Sequence, residues 1–248
     1  MLSVSVVGLN YQRVLVQTLS GAEANVLRSG FDYSFVISYG SLNDSEYKCT
    51  AKNSCVIDLQ DGAEKAFSKF NSTSRNEVRR SEKIPDLVFH FGFEDFGFDT
   101  YFGFHKACEH DRNWHPVPPD ELKKSLLFSA SFDGKLISGM SCYTHGPYIR
   151  VGRIFSNKRS AKSEILTNLV YGCAAKRIVY EICKHSEQNK FTQLDLGGVD
   201  LVDPEKQGIS KFKLSLGSQI IPVKLGRWSN LNFDTKEHLI REQGWDLT

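Results

Sequence analysis

Hydrophobic and polar positions along this chain change period several times, and each change marks a predicted element. Residues 1 to about 60 alternate short apolar runs with polar turns, which predicts strands at 4–9, 35–39 and 55–59 and a short helix over 11–19. The piece 40–53 has few large apolar residues and reads as loop. Ser74 and Glu77 stand at capping-box spacing, so a helix is predicted from Ser74 to about Lys83, ahead of Pro85. After a strand at 87–91, residues 95–110 take helical spacing, with Phe98, Tyr101, Phe102, His105 and Cys108 on one face. Such an aromatic stripe is first of all core. Pro118-Pro119 precedes a short helix over 120–125.

The clearest β signal follows. Strands 126–132 and 135–144 are joined by Asp133-Gly134, and His145-Gly146-Pro147 turns the chain into a third strand, 148–155. A polar loop feeds a long helix over 163–185, whose broad apolar face includes Leu169, Val170, Cys173, Ile178 and Ile182. The next strand, 192–196, breaks at Gly197-Gly198. Asp200 and Asp203 follow, Pro204 opens a polar loop, and the chain resumes at Ile209-Ser210-Lys211-Phe212-Lys213. The tail predicts a strand at 219–225 and a helix at 235–242. No internal repeat or low-complexity linker interrupts the chain.

Length and composition narrow the class. The 248 residues suffice for one large domain or a core with a smaller appended unit. No apolar run approaches the ~20 residues that cross a membrane. The start reads as a strand rather than a secretion signal. A net charge of +2 argues against nucleic-acid binding as the main activity. The six cysteines contain no C-x-x-C pair, so zinc spacing is absent. No metal site is expected, and a reducing, cytoplasmic compartment without disulfides is.

Candidate chemistry gathers in three places. Arg75, Arg79 and Arg80 lie along one side of the 74–83 helix, where guanidinium groups suit phosphate; a solvated helix with Glu77 and Glu82 as partners is the plainer reading. Lys158, Arg159 and Ser160 sit between a strand and a helix N-terminus, an arrangement that favours anions. Neither a P-loop nor a dinucleotide-binding glycine motif is present. Around the Gly197-Gly198 break, Asp195, Asp200 and Lys213 converge in sequence. Backbone at a glycine break can approach a ligand closely, although Gly, Asp and Pro also make ordinary turns. His145 at a hairpin end and His105 on the aromatic helix titrate near neutrality and are alternative bases; local packing is the commoner use of each.

The order hairpin, third strand, basic loop, long helix and strand ending in a glycine break resembles the GNAT N-acetyltransferase fold. D-L-G-G, then an acidic loop, then G-I-S-K-F-K with Gly217 soon after, is similar to the signature of that superfamily's FemABX-like branch. The S-x-S-R-x-E-V-R-R-S-E helix resembles the Arg-rich helix ahead of its acyltransfer core. The resemblance covers about 67–223. It implies an α/β fold of the α+β mixed-sheet kind, with a strand-rich N-terminal segment (1–66) packed on a GNAT-like acyltransferase core (67–248). The chain departs from the branch's peptidoglycan enzymes in having one clear half and no tRNA-gripping helical arm. N-K-R-S-A replaces the usual glycine-rich pyrophosphate loop.

Single-domain relatives of this branch imply an N-acyltransferase that moves an acyl group from acyl-CoA to the amine of a nucleotide-linked amino sugar, in surface-polysaccharide biosynthesis. The amine would attack the thioester directly. Acyl-CoA is then a co-substrate rather than a resident cofactor, and self-association is left open. On this resemblance Lys213 positions the acceptor or stabilises charge at the carbonyl, with Phe212 beside it. Asp195, Asp200 or His145 receives the amine proton. Lys158, Arg159, Ser160 and the strand end at Phe155 hold the donor, whose acyl oxygen meets backbone N–H groups of 148–155. Arg75, Arg79 and Arg80 meet the acceptor's phosphates. Two alternatives stand: an aminoacyl-tRNA-dependent transferase acting on a peptidoglycan precursor, and a non-catalytic GNAT-fold binding module.

Overall fold

The computed structural model describes residues 1–157 and 165–245. Its strands form one ten-stranded mixed sheet in the order β1-β2-β3-β10-β4-β9-β8-β7-β6-β5. The strands are β1 (Leu2–Val6), β2 (Leu9–Val16), β3 (Tyr33–Ser38), β4 (Lys48–Asp58), β5 (Leu87–Phe91), β6 (Leu126–Phe132), β7 (Lys135–His145), β8 (Tyr148–Ser156), β9 (Gln193–Gly198) and β10 (Gln219–Ser229). Two neighbours run parallel, β2/β3 and β8/β9. Each needs a crossover. Helix α1 (Gly21–Ser29) supplies the first and α6 (Ile165–Gln188) the second.

The remaining helices cover the sheet. Helices α2 (Ala63–Ser68) and α3 (Ser72–Ser81) pack with α6 over the central strands, burying Phe70, Val78, Val179, Leu194 and Leu216 in the largest core. Helix α4 (Phe98–His110) covers β8 through a second cluster that contains Tyr101, Leu127 and Phe155. Helix α5 (Pro119–Lys124) lies on β1. The sheet curls far enough for its first strands to touch β7: the Met1 amino group donates to the Thr144 carbonyl, and His145 Nδ1 lies 2.5 Å from the Leu15 carbonyl oxygen. Tyr143 of β7 accordingly shares a core with Leu2, Val4 and Tyr11.

The meander β6-β7-β8, the strand β5 and the long α6 stand where the periodicity places them. Four segments differ. Residues 11–19 form most of β2 rather than a helix, because the strand is buried on both faces and so lacks the alternation that marks a half-exposed strand. The helix comes next, at α1, opened by a capping box between Ser20 and Glu23. Residues 48–53, read as loop, are the exposed first half of β4, held by backbone pairing to β10 rather than by burial. The predicted helix at 74–83 begins earlier, with Asn71 as cap; its Oδ1 accepts from the Ser74 amide at 2.8 Å. The polar loop after Pro204 is α7 (Pro204–Ser215), with Asp203 capping the Glu205 amide at 3.0 Å and Pro204 in the first turn. A terminal α8 (Leu231–Glu242) packs its Phe233 on Tyr33, ring centroids 4.6 Å apart.

Candidate functional site

Strands β8 and β9 pair in parallel over three residues only, Tyr148↔Gln193, Ile149↔Leu194 and Arg150↔Asp195. Beyond Arg150 they part, leaving β8 from Val151 onward and the end of β9 on two sides of a splay. The other edge of β9 is irregular as well: Ser54↔Gly198 and Val56↔Asp195 are successive pairs with β4, so Leu196 and Gly197 bulge against the single Cys55. Gly197 takes φ 87°, a left-handed conformation that an L side chain adopts with strain. A Cβ there would also sit 3.5 Å from Lys213 Nζ and 3.7 Å from Arg150 Nη2.

Asp195 is the electrostatic centre of this apex. It is fully buried and accepts from Ser54 Oγ at 2.5 Å, the Gly197 amide at 2.7 Å and Tyr39 Oη at 2.9 Å, besides an ion pair with Arg150 Nη1. Burial works most strongly against the Arg150 charge, but the Asp195 carboxylate, Tyr143, Tyr39 and the hydrogen bond to Asp195 together outweigh it, and the guanidinium is held more firmly protonated than usual. Burial, and then the same carboxylate, push the Tyr39 hydroxyl far above its ordinary range. A carboxylate so fully supplied with donors holds the strand end together. Four donors thus converge on its two oxygens.

Lys213 comes to the same place from α7. It is 7% exposed, and its Nζ donates to the Gly198 carbonyl at 2.6 Å. Burial lowers its pKa from 10.5 to about 8; Arg150 pushes the same way, while Cys55 and Asp195 oppose. An amine with that pKa is partly neutral near physiological pH and can both take and give a proton. Cys55, fully buried beside it, is pushed up by burial.

The other residues expected at the site spread out. Asp200 is a turn cap: its Oδ1 accepts the Val202 and Asp203 amides, each at 3.1 Å, and these bonds hold its carboxyl below the usual range. His145 is tied by Nδ1 to Leu15 on the curled edge. His105 is fully buried; burial, and then Arg153 and Arg112, bring it down to about 4, and its Nε2 accepts the Val117 amide. Phe155 is fully buried, its ring against His105 and Phe104. Phe212 is partly buried against the main core.

On α3, Arg75 Nη1 donates to the Ser68 carbonyl at 3.0 Å and also to that of Phe70, and Arg79 lies over the Phe67 ring at 5.7 Å. Arg80 is exposed. Each of the three arginines thus has its own surroundings on α3. Lys158, Arg159 and Ser160 lie outside the described residues.

Arg150, Tyr39, Ser54 and Cys55 were not foreseen. Arg150 is a polar position in an alternating strand, and only the parallel register pairs it with Asp195; Tyr39 and Ser54 arrive from 156 and 141 positions away. Two cavities, of about 660 and 280 Å³, lie elsewhere, against α8 and against the β5 edge. Lys213 and Asp195 line neither. Among the described residues no His, Cys, Asp and Glu side chains group to hold a metal ion, and no helix is long and apolar enough to cross a membrane.

No family model matches the chain, and no curated protein matches it in sequence. Solved structures do. The C-terminal domain of a protein assigned as a lysylphosphatidylglycerol synthetase from Agrobacterium fabrum aligns at TM-score 0.53 and 12% identity, covering 88% of this chain and 75% of that one. L-PGS from Bacillus licheniformis aligns at 0.51 and 11%, covering 93% and 82%. FemX aligns at 0.56 and 11%, covering 79% of this chain and 66% of its own. At such identities the likeness concerns the fold alone, a mixed α/β sheet whose strands β8 and β9 part after three parallel pairs.

Proposed function

We propose that the chain is an N-acyltransferase that joins donor and acceptor at the β8/β9 splay. The observation that carries this reading is Lys213: a buried lysine with a pKa of about 8, anchored on the Gly198 carbonyl where the strands part. The proposed donor is acyl-CoA and the proposed acceptor the amine of a nucleotide-linked amino sugar.

The amine nitrogen attacks the thioester carbonyl, the C–N bond forms, and the C–S bond breaks. Neutral Lys213 takes the proton that the amine loses and returns it to the departing thiolate, so amide and free thiol are the products. Asp195, Arg150, Ser54 and Tyr39 act through position: they fix the end of β9 and, with it, the carbonyl that orients Lys213. Beyond Arg150, where β8 no longer pairs with β9, its backbone N–H groups are the proposed donors to the carbonyl oxygen as it gains charge.

A second reading has a specific observation in its favour. One of the three structures cited above carries a lysylphosphatidylglycerol synthetase name, and a lysyl group is an aminoacyl group. In that case the donor is an aminoacyl ester, as in the tRNA-dependent transferases, and the same proton relay serves an oxygen leaving group.

The deciding experiment mixes the protein with short-chain acyl-CoAs and a panel of nucleotide-linked amino sugars and follows thiol release. Acceptor-dependent release supports the first reading. Transfer from charged tRNA without release from any acyl-CoA moves the donor to the second. Transfer from neither class of donor overturns both and leaves a binding module.

A further inference from the structure

The cleft of about 660 Å³ beside α8 plays no part in acyl transfer at Lys213, and its chemistry is distinctive. Register places Arg227 of β10 directly opposite Lys48 of β4. Both are exposed and both line the cleft. Residues so opposed hold their Cβ atoms roughly 5 Å apart, where like charges repel. An anion seated between them removes that repulsion.

The acids of the cleft are already engaged. Glu46 lies 3.4 Å from Arg28, Asp234 accepts from Ser229 Oγ at 2.6 Å, and Glu237 holds Arg241 at 2.8 Å. Among the described residues none of these carboxylates pairs with Lys48 or Arg227. Among the described residues, the pair Lys48 and Arg227 is thus the part of the cleft without a carboxylate partner.

Next to that pair the wall is aromatic. The Tyr33–Phe233 stack lines the cleft together with half-buried Trp228 and Trp245, while the Arg227 guanidinium lies 5.8 Å from the ring of Phe35, a buried residue outside the cleft lining. A planar, sequence-tolerant stacking surface joined to paired cations suits a base carrying phosphate. A bare phosphate would leave the aromatic wall unused, and an uncharged ring would leave the cations unpaired.

We propose that this cleft binds a nucleoside diphosphate, with its phosphates between Lys48 and Arg227 and its base against Trp245. Along β4 the pair stands six residues from Ser54, roughly 20 Å at strand rise, so this site is separate from Lys213. The assignment does not rest on acyl transfer.

The test is titration of the full chain with ADP, with UDP and with inorganic pyrophosphate, read by calorimetry and by quenching of tryptophan fluorescence. Saturable binding of either nucleotide is expected, about 10-fold or more tighter than pyrophosphate and weakening as salt rises. Lys48→Glu with Arg227→Glu should weaken it by at least about 10-fold, and Trp245→Ala should remove much of the quench. Arg227→Gln, which only relieves the like-charge contact, serves should the double reversal fail to fold. Lys213→Ala should bind as wild type. Absence of binding by both nucleotides, affinity indifferent to position 227, pyrophosphate binding equal to the nucleotides, or loss of binding in Lys213→Ala would each overturn the proposal.

Discussion

Lys213→Met isolates the cost of placing an ammonium group under α7. The methionine side chain keeps the length and most of the volume but cannot be charged. Lowering the pKa from 10.5 to about 8 penalises the charged form by about 3 kcal/mol, at about 1.4 kcal/mol per pH unit. The folded chain binds fewer protons at this group than the unfolded chain between those two values, so stability rises with pH there. Below pH 8 the full penalty is present. Above 10.5 both states are neutral and the penalty is gone. Wild type should therefore gain about 2.5 kcal/mol over Lys213→Met between pH 7 and 10. The Gly198 carbonyl loses its donor in the variant at every pH, which offsets the curves without changing their slopes. Urea unfolding of both proteins at several pH values measures the difference. Parallel curves from pH 7 to 10 would refute the argument, since they would mean that Lys213 titrates alike folded and unfolded.

Three other substitutions probe how the site is held. Asp195→Asn leaves Arg150 buried without its counter-ion and should cost about 3–5 kcal/mol of stability in the same unfolding assay. Asp203→Ala removes the cap of α7 and should cost about 1 kcal/mol, with a larger effect on hydrogen exchange in 204–215 than elsewhere. Gly139→Ala drives a methyl group to 2.5 Å from the Phe155 ring in the core beneath α4, and should lower stability by about 1–3 kcal/mol while leaving the pKa of Lys213 in place.

What the sequence shows of this fold depends on how local each signal is. The meander β6-β7-β8 is legible because Asp133-Gly134 and His145-Gly146-Pro147 fix its turns within a few residues, and α6 because its apolar face repeats over many turns. Strand β2 is not, because burial on both faces erases its alternation, and the first half of β4 is not, because only its backbone is committed, to β10 far along the chain. At α7 the signal was present but ambiguous: Asp-Pro-Glu starts a turn as readily as a helix. The site divides in the same way. Asp195 and Lys213 stand beside a glycine break that points to them. Arg150, Tyr39 and Ser54 join them only when the sheet brings β4, β8, β9 and the residue after β3 together, which no spacing along the chain announces. Asp195 shows the further limit: its location was legible, while its engagement by four donors belongs to the folded state.

The central claim is that Lys213 moves the proton during acyl transfer at the splay. Its most direct test is the pH dependence of acceptor-dependent acyl transfer, measured as amide product by mass spectrometry for wild type and Lys213→Met. The wild-type rate should rise with pH through about 8, and the Lys213→Met rate should be lower by more than about 10-fold with that rise absent. A Lys213→Met enzyme that transfers at the wild-type rate with the same pH profile would contradict it.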